Sequence, residues 1–121
     1  MKIKIDTKEK FHIITIEEVE LSANMTDELT EKLHLYMGTA IKNVVLNMKI
    51  VSTLGESAAD KLASLQQAFY DNNCSLVICE LQKDVEQSLD DSGILELLNV
   101  TPTESEAGDI VNMEEMEREL E

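Results

Sequence analysis

The chain has 121 residues, enough for one domain that buries roughly two-thirds of the surface its unfolded form exposes. Its 25 acidic residues against 10 basic ones give a charge of −15, which argues against nucleic acid or an anionic membrane as a direct partner, since both need cationic patches. An apolar share of 43% with only 4 Gly and 1 Pro argues for a folded chain rather than a disordered one.

Phe11, Tyr36, Phe69 and Tyr70 are the only aromatic residues, so the core must be aliphatic. The acids are unevenly spread. Thr103 to Glu121 holds eight acids and one base, a charge of −7, leaving −8 for the first 102 residues. The expectation is a single domain over 1–121 whose last segment, 103–121, is an acidic helical tail. No run approaches the ~18–20 apolar residues of a membrane span. Met1 to Asp6 alternates polar and apolar and lacks a signal-peptide core, so a cytoplasmic location is expected. Cys74 and Cys79 are expected as free thiols on opposite faces of a strand, because their separation is odd. His12 and His34 have no Cys or His neighbour at ligand spacing, and no P-loop, dinucleotide fingerprint or nucleophile elbow occurs. No cofactor, metal or catalytic residue is assigned.

In chain order, Lys2–Ile5 and Phe11–Ile16 read as two strands joined by a polar turn, an antiparallel hairpin. Glu17–Ala23 reads as a loop and Asn24 as a helix cap, with Asp27 near the positive helix end. Leu29, Leu33, Tyr36 and Met37 make one apolar helix face, ended by Gly38. Ile41–Met48, with Val44-Val45-Leu46, is a strand buried on both faces. Ala58, Leu62, Leu65 and Phe69 mark a second helix. Cys74–Leu81 is a second buried strand. Lys83–Asp91 is a short helix with Val85 and Leu89 inward, and Ile94–Val100 is read as a last strand. Thr103 and Glu106 form a capping box opening a final helix, with an apolar stripe of Ile110, Met113, Met116 and Leu120. Such alternation of strands and helices predicts an α/β layer with a mixed, mostly parallel sheet, one N-terminal antiparallel hairpin and about four helices.

The informative segment runs from Val44 to Leu62. A buried strand ends, a loop crosses, and a helix opens near Gly55-Glu56-Ser57. Functional contacts in open α/β sheets concentrate beyond the carboxyl ends of the strands. Ser57 reads either as a helix-capping residue or as an exposed hydroxyl. Glu56 reads as an acid favourable at a helix start.

This segment resembles the STAS family, the anti-anti-sigma factors (anti-sigma factor antagonists). The family's usual segment is a buried strand ending in an acid, a spacer, then Asp-Ser-Ser-Gly-Leu opening a helix. Laid on this sequence, Asn47 stands where the Asp is common. Gly55 falls at the second Asp, Glu56 at the first Ser, Ser57 at the second Ser, Ala58 at the Gly and Ala59 at the Leu. The resemblance extends to the hairpin, to the Asn99–Ser105 turn and to the ending Asn112–Leu120. It implies a STAS fold and a non-enzymatic regulator that binds an anti-sigma factor serine kinase. Ser57 would be the phosphorylated residue, with Gly55, Glu56, Ala58 and Lys61 around it at the interface. The alternative is a scaffold or interaction module of the same fold that is never phosphorylated, since only Ser57 of the five motif residues is kept. In the tail, Ile110 is expected to pack on the sheet, while Met113, Met116 and Leu120 extend beyond the core and allow a homodimer, Met being adaptable at binding surfaces.

Overall fold

The computed structural model of the chain describes residues 1–120; Glu121, the last residue of the expected tail, lies outside the described residues. The main sheet has five strands in the order β1-β2-β4-β6-β7. β1 (Ile3–Thr7) runs antiparallel to β2 (Phe11–Ile16), pairing Ile5 with Ile14. β4 (Asn43–Asn47), β6 (Leu76–Cys79) and β7 (Val100–Thr101) continue in parallel. Among the described residues four helices, α1 (Ala23–Met37), α2 (Ala58–Asp71), α3 (Lys83–Asp91) and α4 (Glu104–Glu119), cover it.

The apolar runs explain the layering. Side chains alternate along a strand, so a continuous apolar strand needs cover on both faces. Ile14, Ile16, Val44, Leu46, Leu76 and Ile78 pack with Leu29 and Leu33 of α1, Leu62, Leu65 and Phe69 of α2, and Val85 and Leu89 of α3. Phe11, Ile13, Val45, Val77 and Cys79 point the other way, against Ala107 and Val111 of α4. Cys74 and Cys79 therefore lie in different layers, as their odd spacing requires. Both are buried free thiols. Burial, with Glu104 and Glu80 adding to it, pushes Cys79 up to about 12, so it stays a neutral thiol.

The acidic tail is held by polar contacts at both ends. Asn43 and Asn47 are four residues apart on β4, on the face that α4 covers. Asn47 is fully buried and donates to Glu104 Oε2 at 2.7 Å. Asn43 donates to Glu115 Oε2 at 2.9 Å and accepts from Ser75 N at 2.8 Å. Arg118 Nη2 donates to Glu115 at 2.7 Å, and Ser75 Oγ donates to Glu114 at 2.6 Å. Burial raises the Glu115 carboxyl, but the hydrogen bonds from Arg118 and Asn43 win and hold it below its ordinary value.

Three sequence expectations change and a fourth is extended. The cap of α1 is Ser22, not Asn24: Ser22 Oγ accepts from Met25 N at 3.2 Å. The expected loop Glu17–Ala23 contains β3 (Glu20–Leu21), which pairs in parallel with β5 (Thr53–Leu54) as a separate two-stranded sheet. Ile94–Val100 is not one strand but a 3₁₀ turn at Leu95–Leu97 followed by the short β7. Finally, α4 seats on Ala107, Gly108 and Val111, which the sequence reading did not include, together with the expected Ile110. Ile110 is half-buried against the sheet, while Met113, Met116 and Leu120 are exposed. Gly108 permits this close seat, since a Cβ there would meet Phe11 Cζ at 3.0 Å. The Thr103 cap holds as expected, accepting from Glu106 N at 3.1 Å.

Candidate functional site at the start of the second helix

β4 ends at Asn47, and the chain loops back to place β5 beside β3. Val19 O accepts from Ser52 N at 2.7 Å and from Thr53 N at 3.2 Å, which anchors the loop. Gly55 then donates its N–H to Leu21 O at 2.8 Å. A Cβ on Gly55 would lie 3.0 Å from Ser22 Cα and 3.4 Å from Leu21 O, both backbone atoms. The glycine is therefore what lets the start of α2 press against the start of α1.

From there Glu56 and Ser57 project into solvent. Ser57 occupies the cap position of α2 with φ 69° and ψ −6°, a left-handed conformation. Its hydroxyl makes no capping hydrogen bond, so the capping expectation is corrected. The reason is geometric: a cap hydroxyl reaches the first N–H groups from extended backbone, as at Ser22 with φ −82° and ψ 168°. A left-handed residue is held by main-chain contacts instead, here Ala58 N to Gly55 O at 3.1 Å and Lys61 N to Ser57 O at 3.1 Å. Left-handed backbone costs a non-glycine residue about 1–2 kcal/mol, which the flanking pairing must offset. The result is an exposed, uncommitted hydroxyl beside helical N–H groups that no side chain caps.

The other expected residues fall as follows. Ala58 is fully buried under the helix and offers no side-chain surface. Lys61 is half-buried and bonds Asp27 of α1 at 2.6 Å rather than its neighbour Asp60. Gly55, Glu56, Ser57 and Lys61 are thus brought to one surface, with Ser22 and Asp27 of α1 as members that sequence reasoning did not include. Ser22 was legible as a small polar residue just after Leu21; its contact with Gly55 was not. Asn47, where the family commonly has Asp, has both polar atoms engaged: Nδ2 on Glu104, and Oδ1 accepting from Lys49 N at 3.0 Å. His12 stacks on Tyr36 with centroids 4.1 Å apart, and His34 is exposed on α1. Among the described residues, no three His, Cys, Asp or Glu side chains group to hold a metal ion. Nor is any helix among them long and apolar enough to cross a membrane.

A mixed sheet covered on both faces, with a serine-bearing helix start exposed beyond the carboxyl end of a central strand, defines a small α/β domain. The STAS domain model matches residues 2–107, and the chain belongs to that family. No curated protein matches the sequence. Among solved structures, Moorella thermoacetica RsbS in a serine-to-glutamate form superposes with a TM-score of 0.75 at 16% identity, covering 93% of this chain and 96% of that one. The anti-sigma factor antagonist SpoIIAA, a Bacillus cell fate determinant, superposes in its unphosphorylated form with a TM-score of 0.71 at 15% identity, covering 92% and 96%. A third likeness is to a part of the murine anion transporter Slc26a9, with a TM-score of 0.71, 16% identity, and coverage of 86% of this chain but 18% of that one. These likenesses show the fold.

Proposed function

We propose that this chain is an anti-sigma factor antagonist-type regulator in a partner-switching pathway. It is a binding module and not an enzyme. It binds an anti-sigma factor kinase through the surface of Gly55, Glu56, Ser57 and Lys61, with the buried Ala58 dropped from the expected set, and the kinase phosphorylates Ser57. The observation that carries this reading is the left-handed, exposed Ser57 whose hydroxyl caps nothing. A hydroxyl committed to a cap would have to leave the helix to react; this one is free. The family membership supports a role of this kind.

A phosphate at Ser57 would add about −1.5 to −2 charge and three acceptor oxygens. Uncapped N–H groups and the positive end of α2 would tolerate it locally. The modification would therefore act on docking rather than on folding, setting a dianion beside Glu56 where the partner must bury surface.

The test is incubation with the cognate kinase and ATP, followed by phosphate mapping by mass spectrometry. Phosphate at Ser57, and weaker kinase binding by Ser57→Asp, is the expected result. No phosphate, with binding unmoved by Ser57→Asp, would defeat the switch.

The second reading, an unphosphorylated scaffold, is favoured by one specific observation. The departures from the family motif serve packing in this chain: Gly55 lies against Ser22, and Ala58 has no exposed side chain. A homodimer through Met113, Met116 and Leu120 belongs to either reading. Light scattering on Met113→Glu/Met116→Glu tests it without removing Glu114, Glu115 and Arg118, which hold α4; an unchanged monomer mass in both forms would sink it.

A further inference from the structure

The opposite end of α2 carries a second feature. A cleft of about 880 Å³ lies between the C-terminus of α2, the start of β6, the Leu97–Asn99 segment and the last turns of α4. Tyr70 and Leu97 line it, both largely exposed at 76% and 56%, so two large apolar side chains face solvent on one cleft. Asp71, Glu114 and Glu117 line it too. The one cation among its described lining residues, Arg118, is committed to Glu115, Ser75 and Asn43. Asp71 and Glu117 form no salt bridge among the described residues.

Asp71 accepts from Gln67 Nε2 at 2.9 Å, one turn earlier, but has no cationic partner. It ends α2, where the helix dipole is negative, and the last turn has no basic residue to balance it. The walls are already rigid. Gln66 Nε2 donates to Leu76 O at 3.0 Å and Gln66 Oε1 accepts from Asn99 N at 3.0 Å. Ser75, Glu114, Glu115 and Arg118 fix the α4 side, so a ligand need not order the cleft.

We propose that this cleft docks a basic segment of a partner protein, lysine- or arginine-rich with an apolar side chain that seats between Tyr70 and Leu97. Charge complementarity selects the occupant. A second copy of this chain, itself at −15, would bring acids to acids. The cleft lies about 20 Å from Ser57 along α2, so both surfaces can be occupied at once.

The probe is a fluorescein-labelled synthetic peptide of lysine and leucine, read by anisotropy at near-physiological salt. It binds the native chain, and Asp71→Lys/Glu117→Lys weakens it about tenfold, as expected for reversing two rim charges. Leu97→Ser weakens it several-fold. Glu86→Lys/Asp90→Lys on α3 makes the same change in net charge and leaves binding within about twofold. Asp71→Lys alone also raises the thermal midpoint by about 1–4 °C, since it removes the clash with the helix dipole. Lower affinity with higher stability is a signature that a purely structural aspartate does not give. Equal loss in the α3 variant, equal binding of a glutamate–leucine peptide, or no binding to the native chain overturns the proposal. So does a dimer mass that Leu97→Ser abolishes, which would make the occupant a second copy.

Discussion

Two helices of this protein start side by side, each from a serine just beyond a strand of the same minor sheet, and they start differently. Ser22 follows β3 directly in extended backbone, and its hydroxyl caps α1. Ser57 follows β5 after Gly55 and Glu56, sits left-handed, and caps nothing. The difference lies in the two inserted residues. Gly55 is bonded to Leu21 O and pressed on Ser22, so the chain has to swing outward before α2 can begin. The same residue type thus stabilises one helix and is displayed to solvent by the other. The lesson is that a serine at a helix start is read by its backbone, not by its position.

The largest expected effect is at the strand that feeds the displayed serine. Asn47→Asp would restore the acid common in the family, but it would place a second carboxylate where Asn47 now donates to Glu104 at 2.7 Å. A loss of about 3 kcal/mol is expected near neutral pH, from a buried charge set against Glu104 with only the Lys49 N–H to accept from. The new Asp would have its folded pKa raised. The folded state would then hold its proton more tightly than the unfolded one. The variant should therefore be least impaired at pH below the unfolded carboxylate range and lose stability as pH rises through the folded value. Urea melts at pH 4 to 8 check this, and a loss independent of pH would contradict it.

Next is Gly55→Asp, the other restoration. Its Cβ would meet backbone that cannot swing aside, so a loss of about 2 kcal/mol is expected by thermal or urea denaturation. A neutral result would mean that the two helix starts are not locked together. Smaller again is the paired test of the serines. Ser22→Ala should cost about 1 kcal/mol, the usual value of a cap, and Ser57→Ala should stay within about 0.3 kcal/mol. Equal losses would erase the contrast. The smallest expected change is a gain: Ser57→Gly relieves left-handed strain but loosens the unfolded chain, a net stabilisation of about 0.5 kcal/mol.

Much of the fold was legible. Val44-Val45-Leu46 and Leu76-Val77-Ile78 announce strands covered on both faces, and both layers are there. The helix registers of Leu29 and Leu33, of Leu62, Leu65 and Phe69, and of Val85 and Leu89 are all inward. Less of the candidate site was legible. Ser57 and Gly55 were found through motif resemblance, while Ser22 and Asp27 lie about 30 residues earlier and join only through packing. The face of α4 was read from Ile110 alone because Ala107 and Gly108 are small, and small residues carry little weight in a hydrophobic pattern although they permit the closest approach.

The amino-acid sequence by itself determined the layers, the order of the four helices and of the longer strands, the charge and the capping of α4, because periodicity and caps act within one or two turns of chain. Only the tertiary structure decided the pairing of β3 with β5, the close contact at Gly55 and the left-handed backbone of Ser57. Strands of two residues have no pattern of their own, and a residue takes a strained conformation only where contacts from distant chain hold it there.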